Sequence, residues 1–297
     1  MNIAFLKTIL EVACINVIGV CGVFVVTGMT GFLSLGQAAF MAVGAYTSAL
    51  VVTKLHMPFI VGLASAVVAS ALAGLIVALP TMKLRRDFFA LVTFGFVSAV
   101  TALLNSMVKL TGGGRGYPGI PKFSRTWLLI SSAVVVIILV RNFKYSRMGR
   151  QCLALRADEL AAKSMGINTN RTKLMVFTFS AVITGYAGAL YAHYLRFIDP
   201  SMFDWMTSTE WVIVVCVGGV YSLTGSVIST FLLAFLPELF RFAAEWRIVI
   251  YSLVVLGIVN FKPTGMFGEF ELFTRKYNLN YTLPPRGVKA KDDAAGG

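Results

Sequence analysis

A chain of 297 residues that is 57% hydrophobic and only 13% charged, with a mean hydropathy of +0.79, is too poor in charge for a soluble domain, where charged residues make up about a quarter. Its net charge of +13 would suggest nucleic acid in a soluble protein; in a chain this apolar it points instead to basic loops facing anionic lipid and partners on one side of a membrane. The four cysteines, Cys14, Cys21, Cys152 and Cys216, have no metal-ligand spacing and read as small core residues.

Charge-free runs cover Val12–Thr53, Leu55–Met82, Phe88–Val108, Leu174–Leu195 and Trp211–Pro237. A bilayer-crossing helix needs roughly 20 apolar residues, so each run predicts one or two spans. Taken in chain order, the expected segments are 8–27, 30–52, 58–80, 88–108, 127–141, 172–193, 204–222, 226–243 and 247–261, an all-α polytopic bundle of about 8–9 spans. Lys7 and the following apolar stretch show no small-residue cleavage site and read as a first helix rather than a removed leader. Met57-Pro58, Pro80 and Lys262-Pro263 mark boundaries, and 127–141 and 247–261 are short for a full crossing. Two runs are too long for one helix and break at glycines, at Gly28–Gly31 and in "GGVYSLTGS" from Gly218 to Ser226. The likeness of "GFLSLGQAAF" to "GVYSLTGSVI" reads either as a degenerate internal repeat or as coincidence in a Gly- and Ser-rich membrane sequence.

Loop charge sets the orientation. Arg141 to Lys173 carries eight basic residues against Asp158 and Glu159, whereas "LRFIDPSMFDWMTSTE" carries Arg196 against Asp199, Asp204 and Glu210. The positive-inside rule makes the first loop cytoplasmic and the second external. "MKLRRD" and the tail after Lys262 are then cytoplasmic, and the N-terminus external. "VKLTGGGRGYPGIPKFSR" falls outside by alternation despite Lys109, Arg115, Lys122 and Arg125. The segment 1–267 forms the membrane domain, and the polar, Pro/Gly-rich 268–297 reads as a disordered cytoplasmic end. Trp127, Trp205, Trp211 and Trp246 are expected in the interfacial aromatic belt, and His56 and His193 near span ends.

"TGMTGFLSLGQAAFMAVGAYTSAL", Thr27 to Leu50, is rich in small residues and holds one amide, Gln37. Helices in lipid associate by close packing and hydrogen bonds rather than by hiding apolar surface. Small residues such as Gly36, Gly44 and Ala45 therefore suit a helix at the centre of the bundle. Ser34 and Gln37 lie three apart on one face and are costly to leave unpaired in hydrocarbon. They line a polar path or act as glue between helices. No Asp, Glu, Lys or Arg is expected mid-span, which speaks against an ion-coupled carrier. "TGGGRGYPG" lacks the Gly-Lys-Ser/Thr of a phosphate-binding loop, so the chain is no ATPase and binds no cofactor of its own.

The basic connector contains "RADELAAKSMGIN". Asp158 suits an N-cap, Glu159 a first turn and Gly166 a left-handed C′ position. Two turns are unstable alone in water, so the helix must lie against something. Placed between two spans on the cytoplasmic side, this segment resembles the coupling helix of ABC-type importer permeases. Together with "TGMTGFLSLGQAAFMAVGAYTSAL", "TFGFVSAVTALLNSMVKLTGGGRGYPGIP", "SAVITGYAGALYAHYLRFIDPSMF" and "VVCVGGVYSLTGSVISTFLLAFLPE", it resembles the branched-chain amino acid permeases of the LivM type from about Gly28 to Phe267.

The resemblance implies a coupling helix within 156–167, with Arg156, Asp158, Glu159, Ala161, Ala162 and Gly166 as its residues. The translocation path, expected from the residues themselves, lies near Ser34, Gly36, Gln37 and Thr93, and the resemblance also implies a structured segment at the external mouth around Thr111, Gly112 and Gly113. It further implies a second homologous permease, two cytoplasmic ATPases carrying ATP and Mg, an external solute-binding protein and the bacterial inner membrane. The substrate would be leucine, isoleucine or valine, or urea, amides or aromatic acids. The rival expectation is a self-sufficient carrier or channel.

Overall fold

The computed structural model describes residues 3–82, 86–123 and 125–239, together with 252–253, 255–257, 260, 265–268 and 271. Among them the regular structure is helical, apart from one two-stranded pairing. Helix α1 (Ile3–Val23) runs into a π-helical turn, Phe24–Gly28, and the chain leaves helical geometry at Gly31, whose φ of +73° suits glycine. α2 (Gln37–Lys54) follows, then α3 (Phe59–Thr81), which starts behind an extended Pro58 and carries Pro80 in its last turn. α4 (Arg86–Ser106) leads through the short α5 (Val108–Thr111) to β1 (Tyr117–Pro118). α6 (Thr126–Tyr145), α7 (Arg147–Ala157) and α8 (Glu159–Ser164) precede the long α9 (Thr169–Leu195). β2 (Phe197–Ile198) pairs antiparallel with β1, and α10 (Trp205–Gly218) and α11 (Leu223–Leu239) close the described run.

Among the described residues five helices are long and apolar enough to cross a membrane: Leu6–Gly28, Phe59–Thr81, Phe88–Ser106, Thr126–Tyr145 and Thr169–Leu195. A sixth is reached if α10 and α11, bent by 119° at Gly218–Leu223, count as one broken span. The expected segments 204–222 and 226–243 correspond to these two helices, which meet at the bend. The expected 127–141 segment extends to 20 residues, enough for a span. α2 is not among the five, because Gln37 and Lys54 at its ends, more than its Gly, Ser and Thr, lower its hydropathy. The expected 247–261 span lies outside the described residues except at 252–253, 255–257 and 260, as does the tail apart from Gly268 and Glu271.

Burial separates centre from rim. The first and the α9 spans are 78% and 61% buried, whereas α3, α4 and α6 are 22–28% buried. These three turn Ile60, Leu72, Ile76, Phe88, Leu91, Val135 and Ile138 outward, the apolar exterior that lipid requires. α2, α3 and α9 meet through missing side chains. A Cβ on Gly44 would stand 2.0 Å from the Gly185 carbonyl oxygen, one on Gly188 2.0 Å from the Met41 oxygen, and one on Gly185 2.1 Å from Ser70 Oγ. That is the small-residue packing expected of membrane helices.

One expectation fails. Trp211 is no belt residue: it is buried against the bare face of Gly19 and its Nε1–H donates to Asn16 Oδ1 at 3.4 Å. Glu11 lies inside the first apolar helix, where it is buried and accepts a hydrogen bond from Thr126. Its position in the outer turns, beside the starting end of α6, is what makes an acid tolerable there.

Candidate functional site

The connector between α6 and α9 is built as its sequence dictates. Ser146 caps α7 by accepting from Gly149 N. Asp158 caps α8, its Oδ1 accepting from Leu160 N at 2.7 Å and Ala161 N at 3.2 Å, and Gly166 ends the segment at φ +79°. Glu159 turns toward α9, where Oε1 meets Lys173 Nζ at 2.8 Å and Lys163 Nζ at 3.4 Å. Burial would raise its carboxyl, but the hydrogen bonds and charges of Lys173 and Lys163 together outweigh that and hold it below the ordinary glutamate value. Ala162 is buried, whereas Ala161 is exposed beside Leu160 and Met165, which are 75% and 84% exposed. So α8 is tied down on one side and offers a small apolar surface on the other.

Arg156 turns the other way. Its Nη1 donates to the Gly28 carbonyl and, at 3.3 Å, to the Val220 carbonyl, while its guanidinium carbon lies 3.7 Å from the centre of the Tyr221 ring. Lys144 Nζ donates to the Tyr221 carbonyl at 2.7 Å and pairs with Glu271. Glu271 also accepts from Tyr145, and Leu223 N lies 3.4 Å from its Oε1. The backbone N–H groups of Met266 and Phe267 cap the Val217 and Gly218 carbonyls. Breaks in membrane helices release backbone groups that must find partners; here cations and a later segment supply them. The glycine breaks were readable in the sequence, but not their partners, which lie 48 to 128 residues away.

Ser34, Gly36, Gln37 and Thr93 come together where the chain re-enters helix at α2. Thr93 Oγ1, on α4, accepts from Leu35 N at 3.1 Å, and Ala38 N donates to Ser208 Oγ of α10 at 2.8 Å. Gly36 packs tightly, since a Cβ there would approach that of Thr93 to 3.1 Å. Gln37 donates to Ser34 Oγ at 3.2 Å, and its Oε1 accepts from Ser180 at 3.0 Å and Thr184 at 3.2 Å on α9. Ser34, Gln37 and Thr93 are fully buried, so the network is closed in this conformation. Ser180, Thr184 and Ser208 are the partners that spacing alone did not assign.

On the face opposite the connector, Thr111 Oγ1 donates to the Leu104 or Met107 carbonyl and accepts from Gly113 N at 3.2 Å. Gly112 and Gly113 adopt φ of +80° and +58°. This ordered turn feeds β1, which pairs with β2, and Tyr117 OH meets Thr53 Oγ1 at 2.7 Å. His193 is buried between Ser48 Oγ and the Pro121 carbonyl, each 3.0 Å away, bracing the same region. Among the described residues no group of three or more His, Cys, Asp or Glu side chains is placed to hold a metal.

A bundle with a small-residue centre, an apolar rim, interrupted helices and a capped connector helix defines the class: an all-α membrane permease. The sequence model described as "Branched-chain amino acid transport system / permease component" matches residues 5–261, and the chain belongs to that family. It is 32% identical over 279 residues to the high-affinity branched-chain amino acid transport system permease protein LivM of Escherichia coli (strain K12), covering 82% of this chain and 66% of that protein. It thus spans just under two thirds of the length of that relative. It is 24% identical over 279 residues to the LivH permease protein of the same-named system in Salmonella typhimurium, with 84% of this chain and 90% of that protein covered. Similarity extends to the autoinducer 2 import system permease protein LsrC of an Enterobacter strain, 28% identical over 213 residues, 63% of this chain and 62% of that protein. No solved structure matches the chain.

Proposed function

We propose that the chain is the membrane-spanning permease subunit of an ATP-driven importer of branched-chain amino acids in the bacterial inner membrane. The observation that carries this reading is α8. A capped helix of six residues, tethered to α9 through Glu159 and Lys173, holds Leu160, Ala161 and Met165 out from a basic connector. That shape serves docking of a cytoplasmic ATPase, with Asp158 and Gly166 fixing the helix ends, Ala162 seating it on the bundle, and Arg156 anchoring it from behind. ATP and Mg belong to two such ATPases; this chain performs no covalent chemistry.

The family description and the LivM relative support the substrate class. Matches to both LivM and LivH, two permease proteins of like-named systems, support a second, homologous permease as partner. The network of Ser34, Gly36, Gln37 and Thr93 lies on the path and opens when α4 or α10 moves. Thr111, Gly112 and Gly113 shape the external mouth, where a solute-binding protein delivers substrate. The membrane domain spans 1–267, with 268–297 as the cytoplasmic end, and eight or nine spans are reached when α2 and 247–261 are counted.

The test is a Glu159→Lys, Ala161→Trp double variant, assayed for leucine uptake and for retention of the ATPases. Uptake and retention should both be lost while the protein stays in the membrane. Normal uptake by the well-expressed variant would refute docking at α8. Glu11, an acid inside a span, is the one observation favouring a self-sufficient carrier, and leucine uptake into liposomes without ATP would establish that reading instead.

A further inference from the structure

We propose that Arg156 is a positioning residue that ties the α7–α8 connector to both interrupted helices, so that displacement of the connector moves the two breaks together. What that motion accomplishes rests on the importer reading; the bridge itself does not. Four observations converge on it. One guanidinium nitrogen donates to Gly28 O, where the first helix ends, and to Val220 O, in the bend between α10 and α11. The Gly28 carbonyl lies at the C-terminal end of the first helix, where backbone oxygens lack intrahelical partners and the dipole favours a cation, and the Val220 carbonyl lies in the turn just beyond α10. The planar guanidinium lies against the Tyr221 ring, which a compact ammonium would do less well. Gly31 leaves the room: a Cβ there would stand 3.1 Å from Arg156 Cγ.

The other end of the bridge is rigid. Arg156 sits in the last turn of α7, two residues before the Asp158 that caps α8. Cys152 and Leu155 of the same helix are fully buried, so α7 moves with what it is packed on rather than rolling over it. Lys144, just before α7, grips the Tyr221 carbonyl as well. The two breaks lie almost 200 residues apart in sequence, and only Ala157, the last residue of α7, and the extended Asp158 separate the arginine from α8. A push on α8 therefore reaches the end of the first helix and the α10–α11 bend through one side chain. The segment 31–36, which leads into the Gln37 network, starts directly after the first of these breaks.

The experiment compares Arg156→Gln with Arg150→Gln, a change at an exposed arginine of the same helix. Hydrogen exchange on the full chain in detergent tests the bridge. Amides of 29–33 and of 220–223 should exchange faster together in Arg156→Gln, by about tenfold, the scale of losing one charge-assisted hydrogen bond, and should stay at wild-type rates in Arg150→Gln. Exchange unchanged at either break would overturn the bridge. In the purified complex with its ATPases, Arg156→Gln should lose leucine transported per ATP hydrolysed by a similar factor, through Vmax rather than KM. A wild-type ratio would overturn the transmission. Arg156→Lys should recover part of the ratio. If Arg156→Gln fails to insert, Tyr221→Leu keeps the arginine and both carbonyls but removes the stack; it should shift both readouts the same way by less, and wild-type behaviour there would equally overturn the proposal. A wild-type complex with no ATP-dependent uptake would refute the importer reading instead, and the exchange result would still decide the bridge.

Discussion

Replacing Gly44 by alanine adds one methyl group at the tightest point of the bundle. Its Cβ would stand 2.0 Å from the Gly185 carbonyl oxygen and 2.6 Å from Gly185 Cα, more than an ångström inside ordinary contact. The obstacle is backbone, so no side-chain rotation relieves it, and α2 must separate from α9. The same shift would loosen Gly188 from Met41 and Gly185 from Ser70. Overpacking of this kind costs about 3 kcal/mol, offset by roughly 1 kcal/mol of helix propensity gained on replacing glycine. The net loss of about 2 kcal/mol should lower the melting temperature by roughly 5 °C. Gly95→Ala is the matched control, because nothing lies within 4 Å of a Cβ there, and it should melt at or slightly above wild type. The assay is thermal unfolding of fluorescent fusions in mild detergent, read as the monodisperse fraction after heating. A Gly44→Ala protein as stable as Gly95→Ala would refute the packing argument.

Two further outcomes are expected. Gln37→Leu removes three hydrogen bonds, yet Ser180 keeps the Gly22 carbonyl and Thr184 the Ser180 carbonyl, so no donor is stranded; stability should fall by only about 1–2 kcal/mol while leucine uptake falls much further, and uptake that merely tracks stability would assign the network to packing alone. The depressed carboxyl of Glu159 means that its tie to Lys173 contributes in full above the ordinary glutamate value and is lost as pH falls through the lowered one. Proteolytic cleavage within 158–166 should therefore be constant from neutral pH down to about 5 and rise only in stronger acid, whereas Glu159→Gln should be cleaved faster throughout.

Much of this was legible in the sequence, for identifiable reasons. Charge-free runs locate spans because water is missing from the bilayer core, and most of α1, α3, α4 and α9 falls where those runs do. Asp158 and Gly166 mark the ends of α8 because capping is local chemistry. The glycines at 28–31 and 218–226 announced breaks because no side chain there competes with a bend. What escaped is set by partners distant in the chain. Trp211 is identical in type to a belt residue, and only the bare face of Gly19 decides that it is buried. Arg156 belongs by charge to a basic loop, yet two orphan carbonyls draw it into the bundle. The bend between α10 and α11 is met by Arg156, Lys144, Met266, Phe267 and Glu271, none of which local pattern connects to it. Ser34 and Gln37 were recognisable as residues needing partners; Ser180, Thr184 and Thr93 are those partners only because α9 and α4 pass alongside.

The central claim is that this permease is driven by ATPases docked on α8. It is tested most directly by purifying the tagged chain from native membranes in mild detergent, identifying the bound subunits by mass spectrometry, and measuring leucine uptake by the same preparation in liposomes with and without ATP. Two copies of a Walker-motif ATPase, a second permease and strictly ATP-dependent uptake are the expected result. A chain that comes out alone and moves leucine without ATP would contradict the claim.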